Sequence, residues 1–382
     1  MKLLLVSEAD LGQPAGNTIK VSALASELAH NGIDITLMVP SYSSVDPVVS
    51  LPPNLKLHLV HAKGSVGTLI GMLNRYRALI KGAKSTLRIE HNTILEIENM
   101  IIGGYFALAG FSGFVLNADG LSFAAALHSR LPWFVPLKLY SRYLKWLEGL
   151  AARRASKVIA ISEPLKDYLI TNFKIAETKI EVVHNGYFES KARSLEGLEE
   201  TVGVVSFVGL LARWARVDKV IRAADALKDE AVTFYIVGDG LCRGELEDMT
   251  KRLGLSNVIF TGYVPVDEAY RLIAASEVML SPMADSLSKA VSCPISQIEC
   301  MALGKAMVID GVGEIATLLK NNNAALVCNP GDENEFIESI HRLIHDKKLR
   351  ENISSNAKRL SQDFGWEKQG RRLAQILREL AG

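Results

Sequence analysis

Apolar residues along the chain fall into two alternating kinds of run. KLLLVSE and DITLMVP are short and almost continuously apolar, as strands covered on both faces are. Between them, NTIKVSALASELAHNG repeats its apolar positions at three and four, which predicts a helix, and Gly32 supplies its stop. TILEIE, GFVLNAD, KVIAIS and KIEVVHNG continue the series with helical stretches between them. The first half therefore predicts a parallel sheet with helices on both faces. The pattern restarts with VVSFVG, TFYIVGDG, NVIFTGYV, EVMLSP and AMVID, alternating with helical runs such as RGELEDMTKRLG and DEAYRLIAAS. FESKARSLEGLEET, between the halves, is polar without an apolar period and reads as an interdomain linker. The expected fold is α/β, with two doubly wound, Rossmann-like domains. Ligands of such sheets bind at the carboxyl ends of the strands, so the expected site is a cleft on which both sets of ends face.

Length agrees with this division, because 382 residues suit two domains better than one. Lys and Arg number 43 against 42 Asp and Glu, a balance that argues against a dedicated nucleic-acid binder. Residues 1–190 carry 19 Lys and Arg against 15 Asp and Glu, so the first half is the more basic. Cys242, Cys293, Cys300 and Cys328 stand singly in apolar surroundings without metal-ligand spacing, which reads as buried thiols in a reducing, cytosolic compartment. MKLLLVSEAD reaches its acids after a short apolar run, as a first strand does and a signal-peptide core does not. The stretch from Met100 to Ala118 is uncharged over nearly a membrane span, but a buried helix followed by a buried strand gives the same signature.

Candidate chemistry gathers at the glycine turns. In FVGLLARWARVDKVIRAADAL an apolar strand breaks at Gly209 and a helix starts near Val217. A missing side chain there lets a phosphate approach amides aligned with the helix dipole; a tight turn alone would need the same glycine. Gly238 and Gly240 in VGDGLCRGE also follow a strand and precede a helix, and are expected to pack as a turn lining the cleft. Glu299 sits among Ile298, Cys300, Met301 and Ala302, where a carboxylate needs either a bound ligand or a fixed partner. No acidic cluster marks a dedicated metal site.

Taken together, FVGLL, YIVGDGLCRGELEDMTKRLGLSNVIFTGYVPVDEAYRLIAASEVMLSP and ISQIECMALGKAMVIDGVGE resemble the nucleotide-sugar domain of the family 4 retaining glycosyltransferases, which have the GT-B fold. AGNTIKVSALASELAHNGIDITLMVP, KVIAISEPLKDYL and VVHNG resemble the first domain of that family. The resemblance implies an acceptor-side domain over 1–187, a linker over 188–201, a nucleotide-sugar domain over 202–360, and a closing helix over 361–382 that packs back on the first domain. It implies transfer of a sugar, with retention, from a nucleoside-diphosphate sugar to an unknown acceptor, lipid-linked or a cell-envelope glycan if residues 131–157 meet a membrane and otherwise a soluble glycan, polyol or small molecule. No cofactor is implied; the sugar nucleotide is the substrate. Glu299 would accept hydrogen bonds from the ribose hydroxyls. Tyr263 and Val264 match the place where the base is read through backbone groups; a buried core tyrosine would look the same in sequence. Gly16, in LGQPAGNT, would approach the donor phosphates or the acceptor. Asp119, in VLNADG, stands where many members carry a histidine near the transferred sugar. It would orient hydroxyls or take the acceptor proton, unless it only forms an Asx turn with Gly120. Pro294, Ile295 and Ser296 belong to CPIS, which resembles an SPIK motif of some members whose amides hold phosphate or sugar oxygens.

Three charged positions of the family pattern are missing. Leu210 and Ala215 replace an arginine and a lysine that neutralise the departing diphosphate, and Val291 replaces the first glutamate of the paired motif. Loss of one such preorganised donor typically costs on the order of 100-fold to 1000-fold in rate. Arg213 is the leading replacement, with Arg216, Lys219 and Lys289 nearby in sequence, unless these form only a solvated basic face. The substitutions also suit a catalytically silent subunit that binds a nucleotide or a partner. Finally, residues 131–157 interleave Trp133, Phe134, Tyr140, Tyr143 and Trp146 with Lys138, Arg142, Lys145, Arg153 and Arg154. Such a stretch suits peripheral contact with anionic lipid at the inner face of a membrane, or a domain helix with snorkelling cations.

Overall fold

The computed structural model describes residues 1–12, 15–41, 51–62, 69–90, 92–126 and 136–381. Trp133 and Phe134 of the aromatic, basic stretch lie outside these residues. The chain forms two compact units, one of Met1–His184 with Trp366–Gly382 and one of Asn185–Gly365.

The first unit is built on a seven-stranded sheet of β1 (Lys2–Val6), β2 (Asp34–Ser41), β3 (Lys56–His61), β4 (Thr93–Glu98), β5 (Val115–Ala118), β6 (Lys157–Ala160) and β7 (Ile180–Val182), in the order β3-β2-β1-β4-β5-β6-β7. The second has six strands, β8 (Thr201–Val208), β9 (Thr233–Val237), β10 (Val258–Gly262), β11 (Ser276–Ser281), β12 (Met307–Asp310) and β13 (Leu326–Cys328), in the order β10-β9-β8-β11-β12-β13. Every neighbouring pair is parallel. Continuous apolar runs become central strands because helices cover both faces: Leu3, Leu4, Leu5 and Val6 are all buried. In each sheet the order reverses once, between β1 and β4 and between β8 and β11. Loops leaving the carboxyl ends of such a pair diverge to opposite faces and leave room for a ligand.

Met100–Leu108 is a buried helix capped by Asn99, whose Oδ1 accepts from the Ile101 amide at 2.8 Å, and it is followed by β5. Among the described residues no helix is long and apolar enough to cross a membrane. Cys293, Cys300 and Cys328 are buried thiols, whereas Cys242 is half-buried.

Residues 188–201 are not a free linker. They contain the helix Glu189–Ser194 and are fixed to the second unit. The Phe188 amide donates to the Tyr270 hydroxyl at 2.9 Å, Lys191 pairs with Asp267, and Glu200 pairs with Lys305 at 2.7 Å. The polar composition reflects a surface bonded through charges. At the other end, the chain returns to the first unit at Trp366 rather than at 361, because the helix Lys347–Ser361 packs within the second unit. The last helix, Trp366–Ala381, lies on the helix Gly16–His30. A Cβ at Gly370 would come within 2.3 Å of Glu27 Cβ, which sets how closely the two approach.

Candidate functional site

At the carboxyl edge of the second sheet, the loops after β8, β9 and β10 are laced together by backbone hydrogen bonds. Gly209 donates to the Val237 carbonyl at 3.0 Å, Leu211 to Asp239 at 2.9 Å, and Gly238 to Gly262 at 3.0 Å. Gly238 has φ +129°, and a Cβ there would fall 2.0 Å from the Gly209 carbonyl oxygen; one at Gly240 would fall 2.5 Å from that of Leu211. Both glycines exist for close backbone packing. The Gly209 amide, expected to meet a phosphate, is already engaged by Val237. Among the described residues, the Leu210, Arg213 and Trp214 amides of this turn find no backbone acceptor outside it.

The basic residues of the turn divide sharply. Lys219, expected at the donor, is turned into the core with 1% exposure and sits 2.7 Å from Asp310. Asp310 in turn accepts the Met283 amide at 2.8 Å. Lys219 is thus a brace joining the helix Val217–Ala226 to the ends of β11 and β12, and not a donor ligand. Arg216 is held by Asp218 at 3.1 Å, and Asp218 and Glu333 both bind Arg222. Asp218 occupies the first turn of the helix Val217–Ala226, so the positive helix end already has its anion. Arg213 is half-exposed on the turn Arg213–Ala215, 3.5 Å from the equally exposed Glu245. Lys289 reaches the same turn from the loop after β11: its Nζ lies 3.4 Å from the centre of the Trp214 ring. The Ala284 amide donates to the Trp214 carbonyl at 2.8 Å and ties the two loops together. Among the described residues, the Lys289 ammonium meets no carboxylate, and burial pushes it down to about 8.

Glu299 is 6% exposed on the helix Ile295–Ala302. Its fixed partner is Tyr270, whose hydroxyl donates to Glu299 while accepting from the Phe188 amide. Burial pushes Glu299 up to about 8 against the Tyr270 hydrogen bond, so at neutral pH it is largely a neutral acid. The need for a partner is met inside the protein and does not by itself require a ligand. Tyr263 is 47% exposed at the end of β10, beside the half-buried Val264, and is no core residue. Pro294, Ile295 and Ser296 form the start of the helix Ile295–Ala302, and no side chain caps it. Asn185 of the VVHNG motif, given no role from sequence, fixes this start: its Nδ2 donates to the Cys293 carbonyl at 2.6 Å. Val291 is buried, so the absent first glutamate has become core.

In the first unit, Asp119 follows β5 and is half-buried, 3.4 Å from Asn99 Nδ2. Burial raises its pKa against the pull of Lys20, and its carboxylate bonds its own amide, not the amide two residues on that an Asx turn would use. It shares this edge with carboxylates that no sequence motif marked. Lys20 Nζ lies 2.7 Å from Glu98 and 2.9 Å from Asn117 Oδ1; Glu8 accepts from the Tyr76 hydroxyl at 3.0 Å; Glu148 accepts the Ser122 amide at 2.6 Å. Burial pushes Glu98 up to about 7 and Glu148 up to about 8. Gly16 is exposed as the first residue of the helix Gly16–His30, which also carries Lys20.

Known proteins agree with this architecture. The family described as Glycosyltransferase Family 4 matches residues 20–188, and that described as Glycosyl transferases group 1 matches residues 189–360. The chain belongs to the family 4 GT-B glycosyltransferases. It is similar to alpha-D-kanosaminyltransferase of Streptomyces kanamyceticus, 25% identical over 94% of this chain and 98% of that protein. Other curated relatives match over a shorter stretch, about three fifths of their own length. Among solved structures, sucrose-phosphate synthase from Thermosynechococcus elongatus superposes with a TM-score of 0.82 at 17% identity, covering 99% of this chain and 98% of its own. Anabaena HepE in complex with UDP-glucose gives 0.73 at 19% identity, covering 99% and 100%.

Proposed function

We propose that this glycosyltransferase moves a sugar, with retention of configuration, from a nucleoside-diphosphate sugar held by the second unit to a hydroxyl acceptor held by the first. The observation that carries the reading is the edge at the β8–β11 reversal, where the amides of Leu210 and Trp214 stand with the side chains of Arg213 and Lys289. Arg213 supplies a fork suited to a diphosphate, and Lys289 supplies an ammonium without an anion; together they replace the cations absent from positions 210 and 215. Tyr263 offers an exposed ring to the base. Ser296, at the start of its helix, offers donors to phosphate or sugar oxygens. In the first unit, Asp119 orients the acceptor hydroxyl. Because HepE is seen with UDP-glucose, a UDP-sugar is the first donor to test.

Calorimetric titration with UDP and with uridine, alongside the GDP, ADP and TDP pairs, measures the diphosphate contribution directly. K289M should weaken the diphosphate about tenfold to hundredfold, the worth of one charge-assisted hydrogen bond, and leave the nucleoside unchanged. R213M should do the same to a smaller extent, since Arg213 is the more exposed. Saturating binding with no turnover of any sugar nucleotide, with or without acceptors, would favour the silent subunit over transfer.

A peripheral membrane role is favoured by one face of the helix Leu137–Arg154. Its buried side carries Leu144, Leu147 and Ala151, while Leu139, Tyr143 and Trp146 are exposed beside Lys138, Arg142 and Lys145. Exposed aromatics among cations are what contact with anionic lipid requires. A lipid-linked acceptor at the inner face of a membrane would then be within reach.

A further inference from the structure

Away from the donor turn, the helix Glu333–His345 of the second unit ends in HRLIH, which places His341 and His345 one turn apart on one side. Their ring centres are 4.3 Å apart. Facing them is Glu230, in the turn that follows the helix Val217–Ala226. That turn is fixed: the Glu230 amide donates to the Leu227 carbonyl at 3.1 Å, and its carbonyl accepts from Val232 at 2.8 Å. His345 Nε2 lies 3.0 Å from Glu230 Oε2, and His341 Nε2 lies 3.4 Å from Oε1. One ligand atom from each of the three residues falls within 4.8 Å of the others.

Those lengths have a meaning beyond hydrogen bonding. An ion bound through ligand bonds of about 2.0–2.1 Å sets neighbouring tetrahedral donors about 3.3 Å apart. The two nitrogen-to-oxygen distances are of that size, one to each oxygen of Glu230, and a turn of the carboxylate brings one oxygen beside both nitrogens. The imidazoles are more than half exposed and can rotate to close the third edge. Two imidazoles with one carboxylate form a nitrogen-rich set, which selects transition-metal dications over the all-oxygen demands of Mg²⁺ and Ca²⁺. We propose that Glu230, His341 and His345 form a binding site for a first-row transition-metal dication, Zn²⁺ or a close neighbour, with water completing the coordination. The ion staples the end of the helix to the turn opposite. The same helix carries Glu333, which holds Arg222, and Phe336, whose ring centre lies 4.5 Å from Lys219 Nζ. The staple therefore secures the element that backs the donor turn, without touching the donor.

The test uses the full chain without a histidine tag, titrated with Zn²⁺, Ni²⁺ and Cu²⁺ and, as controls, Mg²⁺ and Ca²⁺. The wild type should take up one saturable transition-metal equivalent and melt at a higher temperature with Zn²⁺, with no response to the controls. H341A/H345A should lose that equivalent and the shift, and E230Q should bind more weakly. Cu²⁺ electron paramagnetic resonance should show imidazole nitrogen couplings in the wild type that vanish in the double variant. Circular dichroism verifies that these exposed substitutions leave the fold intact. A double variant that binds as the wild type does, or a wild type with no saturable equivalent, overturns the proposal. Neither result bears on the donor reading, which is measured with nucleotides.

Discussion

The carboxyl edges of the two sheets share a topology and differ in what they present. In the second unit the edge is made of backbone: glycine turns pack so closely that a carbonyl occupies the space of a Cβ, and the same loops carry Arg213, 3.5 Å from Glu245, and Lys289, over the Trp214 ring. In the first unit the edge is made of side chains: the buried Lys20 ammonium holds Glu98 and acts on Asp119, whose charge Glu8 and Glu148 in turn feel. Backbone amides and cations suit an anion such as a diphosphate. Carboxyl groups whose pKa values burial raises suit hydroxyls, to which they can donate or accept. One fold, used twice, thus supports two chemistries, and the loops rather than the sheets decide which.

Glycine substitution tests this contrast most severely. G238A combines an unfavourable φ with a clash against Gly209 and should cost about 4 kcal/mol in denaturant unfolding. G120A, next to Asp119, has φ +146° but open space around its Cβ, and should cost only about 2 kcal/mol. Equal costs would mean that the second edge is less tightly packed than its geometry shows. K20M comes next: it strips the buried carboxylates of their ammonium and should cost about 3 kcal/mol. Retained stability would show that Glu98 simply takes up a proton.

A pH series gives a subtler measure of the same edge. Burial and the neighbouring Glu98 push Glu96 up to about 8 from an ordinary 4.5. Its raised pKa contributes stability that is complete below that ordinary value and is lost as pH rises through about 8. Unfolding free energies measured from mildly acidic to mildly basic pH should fall in the wild type and fall less in E96Q. Matching slopes would remove Glu96 from the explanation. The smallest expected effect concerns the outer face of the first unit. Flotation with anionic vesicles should recover the wild type, and W146A with K145A should reduce recovery several-fold; absence of recovery at low salt would dispose of membrane contact.

Sequence periodicity was sufficient for the central strands and the helices between them, because burial on both faces leaves an unbroken apolar signal. It missed β3 and β13. β3, KLHLVH, is an edge strand with five of six positions exposed, and β13 has three residues. Neither leaves a run long or apolar enough to read. The HRLIH spacing, which puts two histidines on one helix face, carries no reading in sequence because Glu230 comes opposite them only through packing. Lys219 shows the same limit from the other side. A lysine beside a glycine turn reads as a phosphate ligand, yet its ammonium points inward to Asp310, 91 residues away.

By itself, then, the sequence determined the α/β class, the two-unit plan, the glycine turns and the loss of charge at positions 210, 215 and 291. Each of these is local, set by periodicity or by the identity of one residue. Tertiary structure alone decided which cations of the Gly209 turn face carboxylates, that Glu98 holds the buried Lys20 ammonium, and that Glu299 already has Tyr270. Those outcomes depend on pairings between distant segments, and a charged group's chemistry is fixed by its burial and its partner rather than by its neighbours along the chain.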